Sequence, residues 1–227
     1  MKNKLYIKKF EPLLLFGVIF FPGYLSQLVM ESDPEMFNNA IMLFFYFITA
    51  VSQIFLIWYL IHMDNRIPPE VYGIVPIRKR TVLLSFPALV GVFITLIPVY
   101  VLSAIILVFT GYPEVEGIVW QFSNFPLLPI VLISCLTTGY LEELYFRSYL
   151  TTKMTFAGYS RNRIIILANL IFAVGHLYQG IAGLAGTFVI GIYLTFLFFI
   201  RRDIHLIAIT HGLYNFTILV LSSFIPQ

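Results

Sequence analysis

The chain has 227 residues, of which 59% are apolar and only 11% carry a charge. That balance excludes an ordinary soluble domain and indicates a polytopic membrane protein. The net charge of +3 comes from basic residues scattered at the ends of apolar runs, which excludes a nucleic-acid patch, and the single cysteine, Cys135, excludes an intramolecular disulfide and a cysteine-rich zinc site.

At about 20 residues per span, the length accommodates about seven transmembrane helices joined by short loops. The expected fold is therefore an all-α membrane bundle, one integral membrane domain over residues 1–227. The opening M-K-N-K-L-Y-I-K-K resembles a signal n-region, but the apolar stretch after it is long and lacks a cleavage site, so it is read as an uncleaved first helix. That helix covers 11–30, with Pro22 and Gly23 expected to kink it, and an acidic loop with Glu31, Asp33 and Glu35 follows. The second span is 39–62. The polar loop 64–80 ends in Arg78-Lys79-Arg80, most simply a topology and anionic-lipid anchor.

The third span is 83–109, bent at Pro87 and Pro98, and the loop 111–126 carries Glu114, Glu116 and the interfacial anchor Trp120. The fourth is 127–154 and the fifth 164–178. Gly180 and Gly183 mark a tight connection, where a re-entrant segment would add an eighth span. The sixth span is 184–200 and the seventh 204–225. His62 and His205 fall at expected interfaces and are read as solvated or in headgroup contact. Every Lys and Arg except Arg147 falls on one side of this arrangement, which by the positive-inside rule puts the amino terminus in the cytoplasm and the carboxyl terminus outside.

The fourth span contains T-G-Y-L-E-E-L-Y-F-R at 138–147. Glu142, Glu143 and Arg147 lie where hydrocarbon is expected, at a cost of roughly 2.5 kcal/mol or more each. Helix rise puts Glu142 about 16 Å from the cytoplasmic end, His176 about 20 Å, His211 about 10 Å and Asn215 about 16 Å. One depth band therefore holds them all, as a shared polar cavity requires. Glu143 and Arg147 are i,i+4, as are His211 and Asn215. Glu142 is turned roughly 100° from Glu143, so the two glutamates divide the work: Glu143 pairs with Arg147, and Glu142 faces the cavity to take a proton from water. A histidine beside it would orient that water, and a second histidine with an asparagine amide would donate to an oxyanion. Such parts make a hydrolase for a carbonyl group.

The pattern E-E-x-x-x-R at Glu142, Glu143 and Arg147, F-x-x-x-H at Phe172 and His176, and H-x-x-x-N at His211 and Asn215 resembles the CAAX protease and bacteriocin-processing (CPBP, or Abi) family. The resemblance covers about 127–224, the family's core. It implies an intramembrane glutamate-type endopeptidase in which Glu142 and His176 activate water, His211 and Asn215 form the oxyanion hole, and Glu143, Arg147 and Phe172 support them. It implies a membrane peptide or protein as substrate. Bacteriocin or pheromone maturation and self-immunity are preferred over prenyl-protein processing, because the chain has no organelle-targeting signal and a prokaryotic cell membrane is expected.

Alternatives stay open at this stage. Glu143 with Arg147 is at least as well read as a structural ion pair. His211 with Asn215 could be interhelical glue worth around 1 kcal/mol. Cys135 is read as packing, and the G-L-A-G at 183–186 as close helix packing. Two Glu and two His could hold zinc, but no H-E-x-x-H occurs and Arg147 would repel a cation unless Glu143 neutralised it. No cofactor is therefore expected, with zinc as the alternative. A non-proteolytic scaffold or immunity protein and a proton-coupled carrier are the competing functions. Oligomeric state is not legible.

Overall fold

The computed structural model describes residues 2–29, 35–111 and 120–224, and for residues 2–9 and 27–29 the backbone alone. Among the described residues every regular element is helical. The elements are α1 (Lys2–Ile19), α2 (Phe21–Val29), α3 (Ala40–Met63), α4 (Lys79–Thr110), α5 (Leu128–Glu143), α6 (Thr151–Phe156), α7 (Arg161–Val174), α8 (Gly180–Arg201) and α9 (Ile204–Ser222), with short 3₁₀ turns between some of them. A π-helical stretch, Leu144–Leu150, joins α5 to α6 without a break. The expected acidic loop residues Glu31, Asp33, Glu114 and Glu116 lie outside the described residues.

Among the described residues five helices are long and apolar enough to cross a bilayer: Ala40–Met63, Lys79–Thr110, Phe125–Phe156, Leu177–Arg201 and Ile204–Ser222. The chain is thus a multi-pass membrane protein with an all-α fold. The other two expected spans are shorter helices. The first breaks at Phe20, one turn before the expected kink, because Pro22 sits in the first turn of α2, where a missing N–H costs nothing. The fifth ends at Val174, and a 3₁₀ turn, Leu177–Gln179, carries the chain into α8.

The α5–π–α6 rod is the axis of the bundle. α5 packs most extensively on α9 and then α3, α9 also packs on α4, and α7 pairs with α8. The α5–α9 contact is close because it is built on glycine. A Cβ at Gly139 would lie 2.7 Å from the Gly212 nitrogen, and one at Gly212 would lie 2.6 Å from Leu136 Cα. Backbone therefore meets backbone, as small residues allow in membrane helix pairs. Outward faces of α3 and α4 leave Phe44, Phe55, Ile94 and Ile105 exposed, as lipid contact requires. Cys135 is buried among Val131, Phe122 and Leu219, a packing position.

Polar groups gather at the two ends. At one, Lys153 bridges Asp64 at 2.7 Å and Glu11 at 3.4 Å. Asp203 caps α9 and accepts from Thr81 at 2.8 Å, while Arg202 donates to the Val71 carbonyl. The loop after α3, the α6 region and the α8–α9 turn therefore share one end, and their basic residues with them. His205 belongs to this scaffold instead of facing solvent: it joins Tyr140 Oη at 3.0 Å to the Val75 carbonyl at 2.8 Å. At the other end Asn38 bonds to the 121–124 segment, and Trp120 stands edge-on to Phe37 and Tyr178.

Candidate active site

α5 delivers Glu142 and Glu143 as its last two residues, and Arg147 follows in the π stretch, every residue of which is buried. A π segment is rare and clusters at functional positions. Here it keeps Arg147 over Glu143. The Arg147 Nη1–Glu143 Oε1 distance is 2.8 Å, and neither residue has accessible surface. Ionised groups at zero exposure persist only when paired and hydrogen-bonded. The guanidinium also donates through Nη2 to Asn169 Oδ1 at 3.3 Å and lies 4.0 Å over the Phe172 ring. Asn169 is itself fixed by Ile165 O at 2.8 Å and Thr195 Oγ1 at 3.0 Å. Gly191 on α8 leaves the space for this network, since a Cβ there would sit 2.5 Å from Asn169 Oδ1.

α9 brings His211 against the end of α5. Its Nδ1 is 2.7 Å from Glu143 Oε1, so the carboxylate accepts and Nδ1 carries the hydrogen. Its Nε2 faces Glu142, 3.5 Å from Oε2. Glu143 thus holds both Arg147 and His211, whereas Glu142 Oε2 is buried and makes no hydrogen bond. The division between the two glutamates expected from sequence has this geometry behind it.

His176 lies just past the end of α7. Its Nδ1 is 3.1 Å from the Phe172 carbonyl, which can only accept, so in the neutral ring Nε2 is the basic nitrogen. The Phe172 ring lies between the two imidazoles, 4.9 Å from His176 and 5.9 Å from His211 by ring centroids. F-x-x-x-H therefore acts as a unit: the backbone of Phe172 sets the tautomer of one histidine, and its ring packs on both histidines and on Arg147. Asn215 stands one turn beyond His211 on α9, half-buried, and its amide makes no hydrogen bond among the described residues. No direct bond joins His176 to Glu142, although the carboxylate lies within electrostatic reach of that ring.

Among the described residues no three His, Cys, Asp or Glu side chains converge as ligands would, and Arg147 takes the inner side of Glu143.

Residues 124–217 match the family model of the type II CAAX prenyl endopeptidase Rce1-like proteins. The matched segment runs from the start of α5 through Asn215 and includes every residue of the three motifs. The match supports the resemblance of this segment to the CAAX-protease family. Comparison with curated proteins and with solved structures found no match. The family model that the segment matches describes a prenyl endopeptidase, a peptide hydrolase.

Within this matched segment, sequence reasoning missed Asn169 and the paired glycines. Both had signals. Asn169 is a lone amide in the apolar run I-I-I-L-A-N-L-I-F, one turn before Phe172. Gly139 precedes Glu143 by one turn and Gly212 adjoins His211, which is the pattern of a close crossing set beside functional side chains.

Proposed function

We propose that the protein is a membrane-embedded endopeptidase in which the Glu142 carboxylate takes a proton from water and the resulting hydroxide attacks a peptide carbonyl. The observation that carries this reading is the inequality of the glutamates: Glu143 Oε1 is held by both Arg147 and His211, and Glu142 Oε2 makes no hydrogen bond, with His211 Nε2 3.5 Å away. His176, with Nδ1 committed to the Phe172 carbonyl, offers Nε2 to the same water. Asn215 donates to the oxyanion as it develops, and His211 joins it through Nε2 when both ring nitrogens carry hydrogen. The proton on Glu142 then passes to the leaving amine, which regenerates the carboxylate. Glu143, Arg147 and Phe172 hold the parts in register.

The substrate is a membrane-associated peptide or protein. Peptide maturation or self-immunity in a prokaryotic cell membrane is preferred over processing of prenylated proteins. The basic end of the bundle, with Arg66, Lys153 and Arg202, faces the cytoplasm in this reading, which leaves the carboxyl terminus outside.

The test compares membrane peptides from cells carrying wild type with those from cells carrying Glu142→Gln. A peptide that accumulates uncut only with Glu142→Gln identifies the substrate, whereas an identical peptide profile at equal protein levels overturns the mechanism. Purified protein treated with chelator should keep its activity; loss restored by zinc would replace the metal-free mechanism with a metal-dependent one.

A further inference from the structure

The hydrolytic site depends on where α7 stops, because His176 is not in the helix but on the turn that ends it. The last carbonyls of a helix lack intrahelical donors and must find others. Phe172 O accepts from His176 Nδ1 and from the Gly175 amide, and Ala173 O accepts from the His176 amide. The Gly175 amide is thereby drawn away from Ile171 O. That carbonyl is served from a different part of the chain: Tyr24 Oη on α2 donates to it at 3.3 Å.

The phenol also rests on the turn itself. A Cβ at Gly175 would lie 2.0 Å from Tyr24 Cζ and 2.4 Å from its hydroxyl. Gly175 has φ −65° and ψ −9°, a backbone any residue adopts. Glycine is needed there for space and not for conformation, and what needs the space is Tyr24. The ring is held from behind by Phe16 at 5.4 Å and Phe20 at 6.5 Å. The hydroxyl end lies within electrostatic reach of Glu142 and Arg147.

We infer that Tyr24, from outside the family segment, is a positioning residue for the proposed peptidase. It clamps the end of α7 through Ile171 O and Gly175 and so fixes the height and orientation of His176 against Glu142. α1 and α2, which carry no recognised motif, then have a role in the chemistry. This inference rests on the hydrolase reading for its kinetic arm only.

The experiment uses the full chain in proteoliposomes with two readouts. The first is cleavage of a fluorogenic peptide ending in a farnesylated C-a-a-X tail. The second is carbethoxylation of histidines by diethyl pyrocarbonate, read by mass spectrometry, with exposed His62 as internal reference. Tyr24→Phe keeps the ring and loses one neutral hydrogen bond, so kcat should fall about tenfold at most, with KM unchanged. Gly175→Ala fits its backbone but expels the phenol, and an ångström-scale shift of His176 should lower kcat roughly a hundredfold. In Gly175→Ala, His176 should also label faster relative to His62. Combining Tyr24→Ala with Gly175→Ala should give no further loss beyond either alone. Wild-type kcat together with a wild-type labelling ratio in Gly175→Ala overturns the inference. If wild type itself leaves this peptide uncut, prenylated C-a-a-X tails are excluded as the substrate and the labelling ratio alone decides on Tyr24: an increase supports the clamp and no change refutes it.

Discussion

The glycine crossing of α5 and α9 offers the sharpest test of how the fold makes the site. In Gly212→Ala the new methyl would lie 2.6 Å from Leu136 Cα, 2.9 Å from Cys135 O and 3.0 Å from Leu136 Cδ2. Two of these are backbone atoms and cannot swing aside. Restoring ordinary carbon–carbon contact requires the helices to part by about 1 Å. His211 adjoins Gly212, and its partner Glu143 is on the other helix, at 2.7 Å. A separation of that size stretches the bond to about 3.5 Å, outside useful hydrogen-bond range. Overpacking costs about 1–3 kcal/mol, the charge-assisted bond about 1.5–3 kcal/mol, and alanine returns about 1 kcal/mol of helix propensity. The net expectation is a loss of about 2–5 kcal/mol, with activity lost alongside. The assay is reversible denaturation in detergent micelles beside peptide cleavage. Gly186→Ala is the control, because its methyl would meet only the movable Leu96 Cδ2 at 3.3 Å; it should be neutral. A Gly212→Ala protein as stable and as active as wild type would refute the link between the crossing and the site.

Other outcomes follow from the same contacts. Arg147→Met strands the Glu143 carboxylate in the core and should destabilise by about 3–5 kcal/mol, and Arg147→Lys should rescue only part of it, losing the fork and the stacking on Phe172. Asn169→Leu should cost about 1–3 kcal/mol by unpairing Arg147 Nη2 and Thr195, and a double-mutant cycle with Arg147→Met should be strongly non-additive. At the basic end, burial alone pushes the Asp64 carboxyl up, but the hydrogen bond and charge of Lys153, with Arg66, bring it below its ordinary value. A depressed carboxylate contributes stability above its unfolded pKa and loses it as pH falls through the folded one. Asp64→Asn should therefore be less stable than wild type by about 1–3 kcal/mol at neutral pH, and the two denaturation midpoints should converge as pH drops below the carboxylate range. A gap that stays constant into acid would exclude Asp64 ionisation as its source.

The site was legible because charged and polar residues in hydrocarbon have few excuses. Glu142, Glu143, Arg147, His176 and His211 stood out against an apolar background, and helix rise put them in one band. What stayed hidden depended on departures from regular geometry. The π stretch cannot be read from a pattern that presumes 3.6 residues per turn, and Leu144–Leu150 is apolar enough to suit either helix. The early end of α7 was obscured for a related reason. Leu177 and Tyr178 suit a helix as well as a turn, and the Tyr24 contacts with Gly175 and Ile171 O join distant parts of the chain that no local pattern shows. Span length misled at the amino terminus, where apolar composition alone does not reveal that Phe20 separates two helices. His205 looked solvated because its partners, Tyr140 and Val75, are 65 and 130 residues away.

The sequence pairing of two glutamates with one arginine acquires its meaning from burial. At the core of the bundle stand two carboxylates and a single guanidinium, with Glu143 and Arg147 fully enclosed. Changing the total charge of such a place is expensive, because the low dielectric amplifies every uncompensated ion. The proposed hydrolysis avoids that cost. When Glu142 takes the proton from water, its negative charge does not leave the site; it moves to the carbonyl oxygen under attack. Total charge is the same before and after, and only its position changes. The fixed pair of Glu143 and Arg147 need not reorganise. His211, anchored by Glu143 through Nδ1, holds Nε2 on the Glu142 side of the ring, 3.5 Å from Oε2. A proton-coupled carrier built on these residues would have to change the charge of the same enclosed volume at each cycle, against the Glu143 Oε1 bonds to Arg147 and His211.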